Sequence, residues 1–189
     1  MREPLDEIQQ DVLIKIARNA IDKATSLQPL PRIDLDNLPS SLQENGASFV
    51  TLTVNGRLRG CIGTLEAYQP LALDVQEHAI AAALEDPRFP KVQPSELHDI
   101  RIEVSVLTPK VPLSYSGPDD LLHQLKPGID GVVLQDGFRR ATFLPQVWDQ
   151  LPEPEQFLSH LCRKMGAPAD LWQKKALNVF LYQVQEFHE

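Results

Sequence analysis

Three observations in the sequence predict an α+β protein with a mainly antiparallel sheet and flanking helices. Two stretches of strand-like residues are each interrupted by a dipeptide, Asn55-Gly56 and Asp136-Gly137, of the kind that closes β-hairpins. A third stretch, Ile100-Arg101-Ile102-Glu103-Val104-Ser105-Val106, alternates apolar and polar without error. Helical patterns fall around these strands without the regular strand-helix alternation that builds a parallel sheet.

The elements follow in order. Apolar residues recur at Leu5, Ile8, Val12, Ile16 and Ala20, which predicts an amphipathic helix over residues 5–26. Residues 28–45 contain Pro29, Pro31 and Pro39 and no sustained period, so they form a connection with at most a helical turn at 40–44. Phe49-Val50-Thr51-Leu52-Thr53-Val54 is a strand, and the chain returns after Asn55-Gly56 through Leu58-Arg59-Gly60-Cys61-Ile62-Gly63-Thr64. A two-residue loop in a regular ladder places Arg57 and Arg59 on the face of Val50, Leu52 and Val54. A three-residue loop through Arg57 instead pairs Val54 with Leu58, Leu52 with Gly60 and Val50 with Ile62. One face is then wholly apolar, and Cys61 joins Thr51, Thr53 and Arg59 on the other, so the burial pattern favours the longer loop.

Residues 70–85 form a second helix, opened by Pro70, stopped by Asp86-Pro87, and carrying an alanine-rich face suited to lie directly on the sheet. Asp86-Pro87-Arg88-Phe89-Pro90 is a rigid turn in which Asp86 and Arg88 pair. After the strand at 100–106 come a short helix at 118–125, a hairpin of 131–135 with 138–144, a helical turn at 145–150, and helices at 155–165 and 170–175. Residues 177–187, rich in Val, Phe, Tyr and Leu, make a last strand that returns the C-terminus to the sheet. Trp148 and Trp172 are core or lobe-contact residues, and Cys162 packs its helix.

The 189 residues suit one domain, 1–189, with room for a smaller lobe. A net charge of −8 and the absence of a Lys/Arg run argue against nucleic acid or an anionic membrane as partner. The opening residues are charged where a signal peptide is apolar, and no apolar run approaches the roughly 20 residues that span a bilayer, so a cytoplasmic protein with free thiols is expected. The five histidines are scattered, His160 and Cys162 point apart on their helix, and no Cys-x-x-Cys, phosphate loop or dinucleotide fingerprint occurs. Neither metal nor cofactor is indicated.

The candidate site centres on Cys61. On a regular strand Arg59 lies about 7 Å away on the same face, where a guanidinium favours the thiolate needed by a nucleophile or a ligand. Gly60 and Gly63 let another group approach from either end. The competing reading, at nearly equal weight, is a small side chain packed beneath a helix. His78 is the one appealing base for Cys61, although a capped or solvent-facing histidine is the plainer reading. Thr64, Glu103, Arg140 and Gln146 complete the candidate ligand-binding set; Arg140, which leads into Thr142 and Gln146, is an anion binder or, at about even weight, an ordinary surface arginine.

The motifs Leu58-Arg59-Gly60-Cys61-Ile62-Gly63-Thr64, Asp86-Pro87-Arg88-Phe89, Glu103-Val104-Ser105-Val106-Leu107, Asp130-Gly131-Val132 and Leu144-Pro145-Gln146-Val147 resemble, in this order, signatures of the AMMECR domain family, also called AmmeMemoRadiSam system protein A. The similarity extends over essentially the whole chain. It implies an α+β fold with a larger lobe holding both termini, a smaller lobe, and the cysteine motif near the cleft. It also implies association with a Memo-like protein and a radical S-adenosylmethionine protein, with no reaction assigned. A small polar or anionic ligand at the cysteine motif, with thiol chemistry, is one functional expectation. A non-catalytic interaction module is the other.

Overall fold

The computed structural model describes residues 4–189. Residues 1–3, part of the charged opening weighed against a signal peptide, lie outside the described residues. In chain order the elements are α1 (Glu7–Thr25), α2 (Ser40–Gln43), β1 (Asn45–Val54), β2 (Arg57–Gly63), β3 (Gln69–Pro70), α3 (Leu71–Leu84) and β4 (Ile100–Leu107). Then follow β5 (Val111–Leu113), α4 (Pro118–Gln124), β6 (Gly131–Asp136), β7 (Arg139–Phe143), α5 (Pro154–Lys164), α6 (Leu171–Lys174), β8 (Asn178–Tyr182) and β9 (Val184–His188). Both hairpins and the strand at 100–106 are present in an α+β architecture of antiparallel pairs with flanking helices.

The chain divides into two compact units, one running to Thr108 and resuming at Gln185–Glu189, the other Pro109–Val184. In the first, strands run in the order β2-β1-β4-β9, and β3 pairs with the start of β1. Val50, Leu52, Ile100, Ile102, Val104 and Val106 form an apolar face packed with α1 and α3 in one core, with buried Ser48 at its edge opposite Val106. Alternation in β1 and β4 dictates that face, because successive side chains point to opposite sides.

The hairpin joining β1 to β2 corrects the expected loop. Asn55 and Gly56 both have left-handed backbones, φ 52° and 73°, so the turn has two residues. Val54 pairs with Arg57 and Thr53 with Leu58, but the register then shifts, so that Leu52 faces Gly60 and Val50 faces Ile62. Arg59 is the extra residue of a β-bulge. The bulge absorbs the one-residue mismatch from Gly60 onward and returns Gly60 and Ile62 to the apolar side, while at the exposed hairpin end Arg57 stays opposite Val54 and Leu58 opposite Thr53.

Helix α1 is capped by Asp6, whose carboxylate accepts the Gln9 amide hydrogen at 2.8 Å, while the Gln9 side chain returns the contact to the Asp6 amide at 3.0 Å. Its buried side is Leu13, Ile14, Ala17, Ala20 and Ile21. Of the stripe expected from the sequence, Leu5 and Ala20 are buried, but Ile8 is 73% exposed, and Val12 and Ile16 lie half-buried along the flank, so the buried side is rotated from the expected one. Packing against both α3 and β4 selects the side rich in alanine, which permits close approach.

In the second unit the order is β5-β8-β6-β7. Its core contains Phe157, Leu158, Leu161 and Cys162 of α5 with Trp148 and Trp172. Trp148 stacks on Phe157 with centroids 3.6 Å apart and donates its indole hydrogen to Asp130 O at 2.7 Å. The expected single strand at 177–187 is two: β8 pairs with β5 and β6, and after Gln183 β9 joins β4 in the other sheet. The composition is strand-like throughout and carries no Gly or Pro to mark the switch. β5 is a three-residue edge strand containing Pro112, too short to show a period in the sequence.

Candidate functional site

Cys61 lies on β2, an edge strand, and pairs with Thr51 on the face turned away from α3. An edge strand presents unpaired backbone groups, and here the turn after α3 satisfies them. The Asp86 carboxylate accepts the Cys61 amide hydrogen at 2.9 Å, and Arg88 Nη2 donates to Cys61 O at 3.2 Å. Arg88 is in turn gripped by Asp86, Nε to Oδ1 at 2.9 Å and Nη2 to Oδ2 at 2.7 Å, and its guanidinium carbon lies 5.5 Å from the Phe89 ring centre. Asp86 and Arg88 thus occupy the place of a neighbouring strand at one residue, and the pair expected across the turn is present.

The electrostatics follow from this geometry. Asp86 is buried, and the Arg88 side chain, with the Cys61 and Arg88 amides, holds its carboxyl far below the usual carboxylate range. Arg88 is raised above its ordinary value, chiefly by Asp86 and further by Cys61. Its side chain is 53% exposed, so one edge of the guanidinium is fixed and the rest faces outward. The Thr51 hydroxyl donates to Cys61 Sγ at 3.3 Å. Next across the sheet, Glu103 pairs with Thr51. Burial, with Glu186 nearby, pushes its carboxyl up. The face is less open than the alternation implies: Ser105 is buried, and Thr51, Cys61 and Glu103 are half-buried.

The hydrogen bonds of Arg59 go elsewhere than to Cys61. The bulge takes Arg59 out of the regular alternation, and it makes a two-pronged pair with Glu96, at 2.9 and 3.1 Å, plus a bond to Pro90 O at 2.8 Å. The two motif glycines admit the protein's own atoms: a Cβ on Gly60 meets Ala82 O of α3 at 2.1 Å, and one on Gly63 meets Ser48 O at 2.3 Å and the Phe49 ring at 2.4 Å. Thr64 closes the strand end, its amide on Ser48 O at 3.0 Å and its hydroxyl accepting the Glu66 amide hydrogen at 3.1 Å.

His78 is neither solvent-facing nor near the thiol. It is buried on α3, with Nδ1 3.2 Å from Asp74 Oδ2, and Asp74 also accepts from Ser48 at 2.6 Å. Gly60 faces α3, so Cys61, one residue on, faces away from it. Arg140 on β7 and Gln146 in the 3-10 turn Pro145–Asp149 are exposed and belong to the second unit. Both cysteines are free, Cys61 half-buried and Cys162 buried, with the Cys162 thiol raised by burial. Among the described residues no group of three or more His, Cys, Asp or Glu is placed to hold a metal, and no helix is long and apolar enough to cross a membrane.

Asp86 and Arg88, expected from the sequence only to brace their turn, and Thr51, expected on a solvated face, are the residues bonded to Cys61. The signal for the first two is an Asp-x-Arg spacing after a helix that packs on an edge strand.

A family model described as AMMECR1 matches residues 14–187. The chain is similar to a protein of Methanothermobacter thermautotrophicus, 41% identical over 98% of this chain and 97% of the relative. It is also similar to protein MJ0810 of Methanocaldococcus jannaschii, 38% identical over 84% and 80% of the two chains. The crystal structure of the uncharacterized protein PH0010 from Pyrococcus horikoshii matches with a TM-score of 0.87 at 31% identity, covering 98% of this chain and 93% of that one. This chain belongs to the AMMECR1 family.

Proposed function

We propose that the corner formed by Cys61, Thr51, Arg88 and Glu103 binds a small anionic or polar ligand in the cytoplasm, with the thiol against the bound group. The observation that carries this reading is the posture of Arg88. Asp86 fixes one edge of its guanidinium, which also donates to the carbonyl of half-buried Cys61 at 3.2 Å, and half of the side chain stays exposed. A pre-oriented guanidinium loses little freedom on gripping a carboxylate or phosphate, and the chain is otherwise acidic. Arg59, Gly60, Gly63 and Thr64 serve this corner by holding β2, Arg59 through Glu96 and the glycines by admitting α3 and Phe49. Inorganic phosphate is the probe: saturable protection of Cys61 from alkylation, lost in Arg88→Gln, supports the site. Alkylation indifferent to phosphate refutes it.

A second reading is a docking module for a radical S-adenosylmethionine protein and a Memo-like protein, the partners that the resemblance implies. It is favoured by Leu58, 43% exposed beside a 520 Å³ hollow lined by Val54, Asn55, Arg57, Leu58 and Arg59. Under this reading Leu58→Asp abolishes partner binding and Cys61→Ser does not.

A further inference from the structure

A second concavity of the first unit takes no part in the thiol corner. It has a volume of 380 Å³, within the range of small-molecule sites. Its apolar lining is Val12 and Ile16 on the flank of α1, with Ile33 and Leu38 from the connection that follows. Gln76 of α3 donates to Pro31 O at 3.0 Å and ties that connection down, so the far wall is held.

The polar groups at the rim are unequal. Asp34 is engaged, accepting from the Asn37 amide at 2.7 Å. Lys15 and Arg32 also line the hollow and are exposed. The rim thus sets two positive charges against the single carboxylate of Asp34 beside an apolar floor, in a chain of net charge −8. The half-buried flank of α1, which broke the stripe expected from the sequence, is the surface that this hollow uses.

We propose that the groove binds a small amphipathic carboxylate, its alkyl body on Val12, Ile16, Ile33 and Leu38 and its acid group on Lys15 and Arg32. Apolar burial supplies affinity, and the two cations select an anionic head. The proposal is independent of the thiol corner.

Decanoate is the probe, titrated into ¹⁵N-labelled protein with decanol as the uncharged control. The expected result is saturable shifts confined to residues around the groove, with decanol binding at least about tenfold more weakly. Lys15→Glu combined with Arg32→Glu, both exposed positions, removes the preference for the acid, and Ile16→Asp removes binding of both probes. Absence of saturable shifts, equal binding of decanol, or shifts centred elsewhere overturns the proposal. So does a concentration-dependent dimer that Ile16→Asp dissociates, which would assign the groove to a second copy of the chain.

Discussion

The Asp86 carboxylate lies 2.9 Å from the Cys61 amide nitrogen and holds Arg88 with both oxygens, so one buried charge fixes the backbone under the thiol and the cation beside it. Breaking this contact should disturb stability and site together. Asp86→Asn keeps the shape but loses charge-assisted bonds, and a loss of about 2 kcal/mol in urea unfolding at neutral pH is expected. The pH dependence has a definite sign. The folded-state carboxyl lies below its ordinary value of 3.8, so the stabilisation is complete above that pH and declines as pH falls through the folded value. The gap between wild type and Asp86→Asn should therefore narrow in strong acid.

Glu103 has the opposite sign. Its carboxyl is raised above the ordinary 4.5, by burial first and Glu186 second, so its ionisation weighs against the folded state as pH rises from 4.5 through the folded value. Glu103→Gln should gain in melting temperature relative to wild type between about pH 4 and pH 7.5. A constant difference over that range contradicts the assignment.

Gly60 is required by the approach of α3. With Ala82 O 2.1 Å from any added Cβ, Gly60→Ala must displace helix or strand, and a destabilisation of about 3 kcal/mol is expected in chemical unfolding. Gly56→Ala gives a contrasting case, because nothing lies within 4 Å and only its left-handed backbone opposes a side chain. Its cost should be about 1 kcal/mol.

Much of this architecture was legible because alternation and turn residues are local signals. Both hairpins, the strand at 100–106 and the small-residue face of α3 follow from neighbouring residues alone. The misread features depend on distant partners. The buried side of α1 was decided by α3 and β4, the bulge at Arg59 by the need to keep one face apolar, and the break at Gln183 by two sheets competing for one strand-like run. At the candidate site, the motif pointed to Cys61, but the commitment of Arg59 to Glu96, with Arg88 as the guanidinium bonded to the Cys61 carbonyl, goes with a single extra residue in β2.

That choice gives a direct contrast. Arg59→Gln removes the pair with Glu96, whose carboxyl Arg59 holds below its ordinary value, and should lower stability modestly while leaving the reactivity of Cys61 unchanged. Arg88→Gln should change that reactivity.

The most direct measurement compares alkylation of Cys61 by iodoacetate and by iodoacetamide, followed by peptide mass spectrometry, with free cysteine as reference. A fixed guanidinium at the thiol attracts the anionic reagent. The ratio of the two rates should exceed that of free cysteine by about tenfold in wild type and in Arg59→Gln, and fall to the free-cysteine value in Arg88→Gln. A wild-type ratio equal to that of free cysteine would contradict the account.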